Sequence, residues 1–256
     1  METQIDLTKS AQDNANDYFI RSKRAKKKLE GAQQSVLDLE KKLEGARSRL
    51  ERSASKKKVK IITKQEWYEK FNWFFTSSGM LAIGGRDAVQ NEAINSKHFE
   101  SGDLFFHADI FGASLVVLKE GRDASEESKL EVAQFAACHS SAWKQNLSTV
   151  DVYALKREQV SKSSSKGSLG TGSFAMSGER EWFRSVKLEL AAFIDENKKL
   201  NFVPGSTFEL LGKKGVRILI GKSKKSDAAK QVAKRLEYDD LDYIMQQLPA
   251  GEFGIK

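Results

Sequence analysis

Gly84-Gly85-Arg86-Asp87 stands between an apolar run and a helical pattern. A turn there can aim backbone N–H groups at a phosphate, and a guanidinium adds a planar, bidentate donor. Neither the Walker spacing nor the dinucleotide glycine spacing is present. The competing reading is a tight turn in which Arg86 pairs with Asp87 or Glu92. His107 and Asp109 lie two apart on a strand pattern, so their side chains share a face. They could form an acid–base pair, half a metal site or a hydrogen-bonded structural couple. The couple is favoured, because the other histidines, His98 and His139, are not spaced to complete a metal site. Cys138 and His139 are neighbours on a helical pattern, so their side chains diverge and form no dyad. Ser140 and Ser141 lack the Gly-x-Ser-x-Gly context of a nucleophile. Cys138, among alanines, reads as a buried inert thiol. Trp143 either stacks on a nucleic-acid base or anchors the core. No catalytic residue, metal or cofactor is expected.

These residues need elements to hold them. Met80 to Ile83 predicts a strand entering the glycine turn, and Ala88 to Asn95 a short helix. Residues 103–109 and 114–118 predict two strands joined at Phe111-Gly112. Ser125 is a good N-cap for a helix running to about Lys144, with Leu130, Ala133, Ala137 and Ser141 as its buried face. The aromatic run from Trp67 to Phe75 reads as core, and Val150, Val152 and Ala154 alternate as a half-buried strand should. Residues 161–178 are rich in Ser and Gly and predict a long loop. Strands are expected over 187–193, 207–211 and 216–220, then a basic helix capped by Ser226-Asp227 and a last helix over 240–248. Helices and strands do not alternate regularly, so the predicted class is α+β, a mixed sheet with packed helices.

A different pattern precedes this region. Small or apolar residues at Ala11, Ala15, Tyr18, Ser22, Ala25, Leu29, Ala32, Val36, Leu39, Leu43, Ala46 and Leu50 step by fours and threes. That is the heptad seam of a coiled coil. A lone helix cannot bury such a seam, so a second helix is expected, from another copy in a homodimer or from elsewhere. Ser53 to Lys60 reads as a basic linker. The expected division is 1–60 for the coiled-coil helix and linker, 61–185 for a globular domain, and 186–256 for strands and a basic helix packed on that domain.

Charge is uneven along the 256 residues, which carry a net charge of +8. Residues 1–60 hold 16 basic and 9 acidic side chains, and residues 213–235 hold 9 and 1. Clustered cations attract phosphate backbones through counterion release. A solvated charged helix would look the same by composition. No run approaches the ~20 apolar residues that span a bilayer, and the first residues do not form a signal peptide. One cysteine excludes an intrachain disulfide and fits a cytoplasmic protein.

Six motifs then occur in order: Trp73-Phe74, IGGRDAVQNE from Ile83, HADIFGAS from His107, SSAW from Ser140, QVSK from Gln159 and TGSF from Thr171. Together they resemble the NFACT-R domain, the RNA-binding part of the NFACT ribosome-quality-control family, in its archaeal form. The helical seam resembles the family's middle segment. The resemblance implies RNA binding, to ribosomal RNA on the large ribosomal subunit, to tRNA, or to both, on stalled nascent-chain complexes. It implies a role for Arg86, Asp87, Asn91, His107, Asp109, Ser114, Trp143, Gln159, Ser161 and Lys162, with Arg86 and Lys162 on phosphates and His107 and Trp143 at bases. The family's NFACT-N and helix–hairpin–helix modules are not in this sequence, which reads as a fragment or as a short homologue. Phe111 stands where the family often has His, and SSSKGSLG replaces a Pro-containing stretch after QVSK. Two rivals remain: an enzyme acting on nucleotide or RNA through His107 and Asp109, and a coiled-coil interaction scaffold.

Overall fold

The computed structural model describes residues 4–55, 66–164 and 167–256, with the side chains of 48–55 and 164 left aside. The chain divides into two compact units, Met1–Lys64 and Gln65–Lys256.

In the first unit, α1 (Ala11–Ser55) is one unbroken helix of 45 residues. Its start is well capped: Ser10 Oγ accepts from the Asp13 N–H and donates to the Asp13 carboxylate. Lys9 pairs with Asp17 at 2.7 Å, and the Tyr18 hydroxyl donates to the Gln4 carbonyl at 2.6 Å. Leu29, Val36, Leu39 and Leu43 are each more than half exposed, so the seam is not buried within this unit. The side chain of Leu50, the seam's last position, is one of those left aside; of the expected linker, Ser53, Ala54 and Ser55 are the last residues of α1, and the rest lies outside the described residues.

The second unit runs, in chain order, β1 (Asn72–Phe75), β2 (Leu81–Gly84), α2 (Ala88–Lys97), β3 (Leu104–Ala108), β4 (Val116–Leu118), α3 (Glu126–Cys138), α4 (Ser141–Lys144) and β5 (Thr149–Lys156). Next come β6 (Val160–Ser161), β7 (Ser163–Ser164), β8 (Gly167–Ser168), β9 (Ala175–Met176), β10 (Glu181–Lys187), β11 (Glu189–Ile194) and β12 (Leu200–Pro204). The chain ends with α5 (Gly205–Leu211), β13 (Val216–Lys224), α6 (Lys225–Leu236), α7 (Leu241–Gln247) and β14 (Glu252–Ile255). A six-stranded antiparallel sheet has the order β1-β2-β4-β3-β5-β10, and a four-stranded one the order β12-β11-β13-β14. The class is α+β.

Period two lets the larger sheet bury both faces. Phe106, Val116 and Val152 face α3 and the smaller sheet, while Phe105, Val117 and Tyr153 face the opposite cluster with Ile94 of α2. Helix α3 packs against strands of both sheets, which explains its nearly continuous burial from Glu131 to Cys138. Glu131 is fully buried and is satisfied by the Ser77 N–H and hydroxyl, at 2.8 and 2.6 Å. The small residues Ala133, Ala136 and Ala137 permit the close approach.

Several expected elements are corrected. The helix ends at Cys138, and Ser140 caps the separate short helix α4. Leu130 is 52% exposed, because it lies on the strip of α3 that neither sheet covers. Of the aromatic run, Phe71 and Phe74 are buried, but Trp67 and Phe75 are exposed. Residues 207–211 belong to helix α5, which starts after Pro204 and stops at Gly212 in the left-handed region, φ 58°. A five-residue segment is too short for periodicity to distinguish these states. Strands β10, β12 and β14 were not expected from the sequence. The loop over 161–178 carries two short ribbons, β6 with β9 and β7 with β8. Helix α6 begins at Lys225, so Ser226 and Asp227 sit in its first turn, while Asp240 does cap α7.

Candidate nucleic-acid interface

A cleft of about 980 Å³ opens where β2 and β3 end. Arg86 and Asp87 line it beyond β2, His107 lines it on β3, and the stretch from Phe111 to Ser114 lines it in the following loop. Ser141 and Lys144 of α4, the stretch from Thr171 to Phe174, Lys225 of α6 and the stretch from Leu248 to Ala250 form the rest. Four motifs far apart in sequence therefore meet around one space.

The glycine turn is held by its neighbours. Arg86 Nε donates to Asn72 Oδ1 at 3.2 Å and Nη2 to the Phe71 carbonyl at 2.9 Å, so it pairs with neither Asp87 nor Glu92. Burial lowers its pKa from the usual guanidinium value, and the side chain stays cationic. Asp87 caps α2 by accepting from the Gln90 N–H at 2.8 Å. Asn91 Oδ1 accepts from the Leu115 N–H at 3.2 Å, and Ser114 Oγ donates to the Gly85 carbonyl. Gly85 is required here: a Cβ would fall 2.0 Å from Asn91 Oδ1.

The expected His107–Asp109 couple does not form. His107 Nδ1 lies 3.3 Å from the Tyr153 hydroxyl, its cross-strand partner, and the ring stacks on Phe105 at 6.0 Å. β3 ends at Ala108, so the period-two argument stops before Asp109, which is exposed. Burial pushes the His107 pKa down, favouring the neutral ring.

Trp143 is corrected as well. It is 0% exposed, its Nε1 donates to the Glu252 carbonyl at 3.1 Å, and its ring lies 5.5 Å from that of Phe253. It does not stack on a base; it pins the segment before β14 that forms one wall of the cleft. The serine-rich loop is anchored in the same manner. Gln159 accepts from the Lys156 N–H and donates to the Ser177 and Glu179 carbonyls. Ser161 Oγ donates to the Ser163 carbonyl. Lys162 pairs with Glu92 and donates to the carbonyls of Gly170 and Ser173, which engages all its ammonium protons. Cys138 donates to the Glu189 carbonyl at 3.4 Å, and burial pushes its thiol pKa up.

Three cleft residues escaped the sequence-based assignment. Lys144 is exposed and Lys225 partly buried, and among the described residues neither has a hydrogen-bond or ion-pair partner. Phe111 is 97% exposed. Each had a signal: Lys144 follows the SSAW motif, Lys225 sits in the second basic block, and Phe111 departs from the family pattern.

The charged side chains lining the cleft are Arg86, Lys144 and Lys225 against one carboxylate, Asp87. The balance attracts anions. His139, also in the wall, is pushed down to about 3 by burial and by the adjacent charges of Arg86 and Lys225. The unfolded imidazole titrates near ~6.5. The unfolded chain therefore gains a proton below that pH that the folded site refuses. The stabilising contribution is full above about 6.5 and is lost as pH falls toward the folded value. Melting temperature is expected to drop between pH 7.5 and 5, and His139→Gln to reduce that drop. Parallel melting curves at the two pH values provide the check; identical drops would contradict it.

Among the described residues, no three His, Cys, Asp or Glu side chains gather closely enough to hold a metal ion. No helix among them is long and apolar enough to cross a membrane.

Residues 70–178 match the family described as NFACT protein RNA binding domain. Over 209 residues the chain is 36% identical to the archaeal Rqc2 homolog aRqcH of Methanocaldococcus jannaschii, covering 78% of this chain and 31% of that protein. It is 33% identical over 193 residues to the ribosome quality control complex subunit NEMF homolog of Drosophila melanogaster, covering 73% and 19%. It is 34% identical over 176 residues to the human ribosome quality control complex subunit NEMF, covering 66% and 16%. The chain thus spans less than a third of the length of these relatives. Lys225 and the wall from Leu248 to Ala250 lie beyond the residues that match the family.

Proposed function

Residues 70–178 make up an NFACT RNA-binding domain, and from that premise we propose that the chain is the RNA-binding module of a ribosome-associated quality-control factor, engaging the large ribosomal subunit, tRNA or both on stalled nascent-chain complexes. The observation that carries this reading is the cleft in which Lys144 and Lys225, beside Arg86, have no partner among the described residues. A partly buried ammonium without a counter-charge is unfavourable, and a bound phosphate offsets that cost. Arg86, Lys144 and Lys225 are the proposed phosphate ligands, with His107 as a neutral hydrogen-bonding wall. Asp87, Asn91, Ser114, Gln159, Ser161 and Lys162 act by holding the turn and the loop in place, and Asp109 stands outside the cleft lining. The reading is non-enzymatic: the His107 ring is engaged by the Tyr153 hydroxyl. Co-sedimentation with isolated large ribosomal subunits tests the function. Comigration that weakens as salt rises supports it, and a chain that stays at the top of a low-salt gradient contradicts it.

For α1 the proposal is self-association through its seam. Exposed Leu29, Val36, Leu39 and Leu43 form an apolar stripe that a partner helix would cover. The interspersed alanines bury little area, so pairing of moderate strength is expected. Sedimentation equilibrium should show dimerisation that rises with concentration and disappears in a chain starting at Lys60. A full chain that stays monomeric at high concentration contradicts it.

A further inference from the structure

We propose that the cleft binds an unpaired nucleotide of single-stranded RNA, with Phe111 as the stacking surface for its base and Lys225 as the inner ligand of its phosphate. This rests on the reading above that the cleft binds RNA, and adds which form of RNA it takes.

Phe111 carries the inference. Its ring is 97% exposed and lines the cleft, so its face is open to a planar aromatic ligand. Its loop is fixed in place. The Ser141 hydroxyl donates to the Phe111 carbonyl at 2.5 Å, and the Asp109 N–H donates to the Asp151 carbonyl at 2.7 Å. Gly112 turns the chain at φ +79°, a conformation that L side chains rarely adopt. The ring is therefore presented outward by a braced turn.

The cationic lining of the same cleft is built from different elements. Lys225 opens α6, Lys144 ends α4, and Arg86 follows β2. Asp87 is the opposing charge, and one of its oxygens is engaged by the Gln90 N–H. An aromatic face beside a cationic surface is the pairing that single-stranded nucleic acid uses, since every base has a π-face and every nucleotide a phosphate. A duplex keeps its base faces stacked internally, so it could use the cations but not the ring.

The test is fluorescence anisotropy of the full chain with a fluorescein-labelled single-stranded RNA of mixed sequence, and with the same strand annealed to its complement. The single strand is expected to bind at least about tenfold more tightly. Phe111→Ala should weaken single-strand binding by about 5- to 100-fold, leaving duplex binding and melting temperature unchanged, and Phe111→Trp should retain affinity. Lys225→Ala should reduce the salt slope for the single strand by about 0.7. Wild-type affinity in Phe111→Ala, or equal affinity for duplex and single strand, overturns the proposal while leaving RNA binding intact. Absence of binding to either RNA by the wild-type chain overturns the RNA reading itself.

Discussion

Trp143→Ala is expected to cost roughly 3–5 kcal/mol of folding stability, the range for removing a fully buried aromatic from a packed core. The indole is 0% exposed and donates to the Glu252 carbonyl, which the substitution leaves without that partner. Gly251 packs so closely that a Cβ there would fall 2.6 Å from Trp143 Cδ1. The truncation therefore opens a cavity beneath the chain that forms the cleft wall. Denaturant titration followed by circular dichroism measures the loss, and Trp143→Phe should lie between wild type and alanine. If Trp143 instead served as a base platform, stability would be unchanged and RNA affinity alone would fall.

Reversing both free lysines, Lys144→Glu with Lys225→Glu, is expected to lower RNA affinity by about a hundredfold at low salt. Two charge-assisted contacts are lost, each contributing about 1.5 kcal/mol or more, and two repulsions are added. The salt dependence should flatten by about 0.7 per phosphate contact on a single strand. Stability should not fall, because neither lysine has a partner among the described residues to lose and Lys225 is a partly buried, uncompensated cation. Affinity within threefold of wild type, at unchanged stability, would remove the cleft from the interface.

Much of this arrangement was legible in the sequence, and the exceptions have physical causes. The strands around Ile83 and Phe105, the Ser125 cap and the helix α1 follow from period and capping chemistry, which are local. Residues 207–211 read as a strand because five residues are too few for periodicity to decide, whereas they belong to α5. β10 was missed because it is an edge strand with polar residues outward and a bulge between Phe183 and Val186. At the site, the motifs converge, but hydrogen bonding divides their roles. Lys162 looks like a phosphate ligand until Glu92 and two carbonyls are found around it. Lys225 looks like one charge in a basic block until the fold places it, without a partner, in the same wall as Arg86. Such roles depend on tertiary neighbours, which spacing along the chain does not encode.

The central claim is that the cleft of the second unit binds RNA through its phosphates. The most direct test is the affinity of the wild-type chain for RNA, measured by anisotropy across a series of salt concentrations. Log affinity is predicted to fall linearly with log salt, with a slope that grows with each neutralised phosphate. Affinity that does not change with salt, or no binding at the lowest salt, would contradict the account.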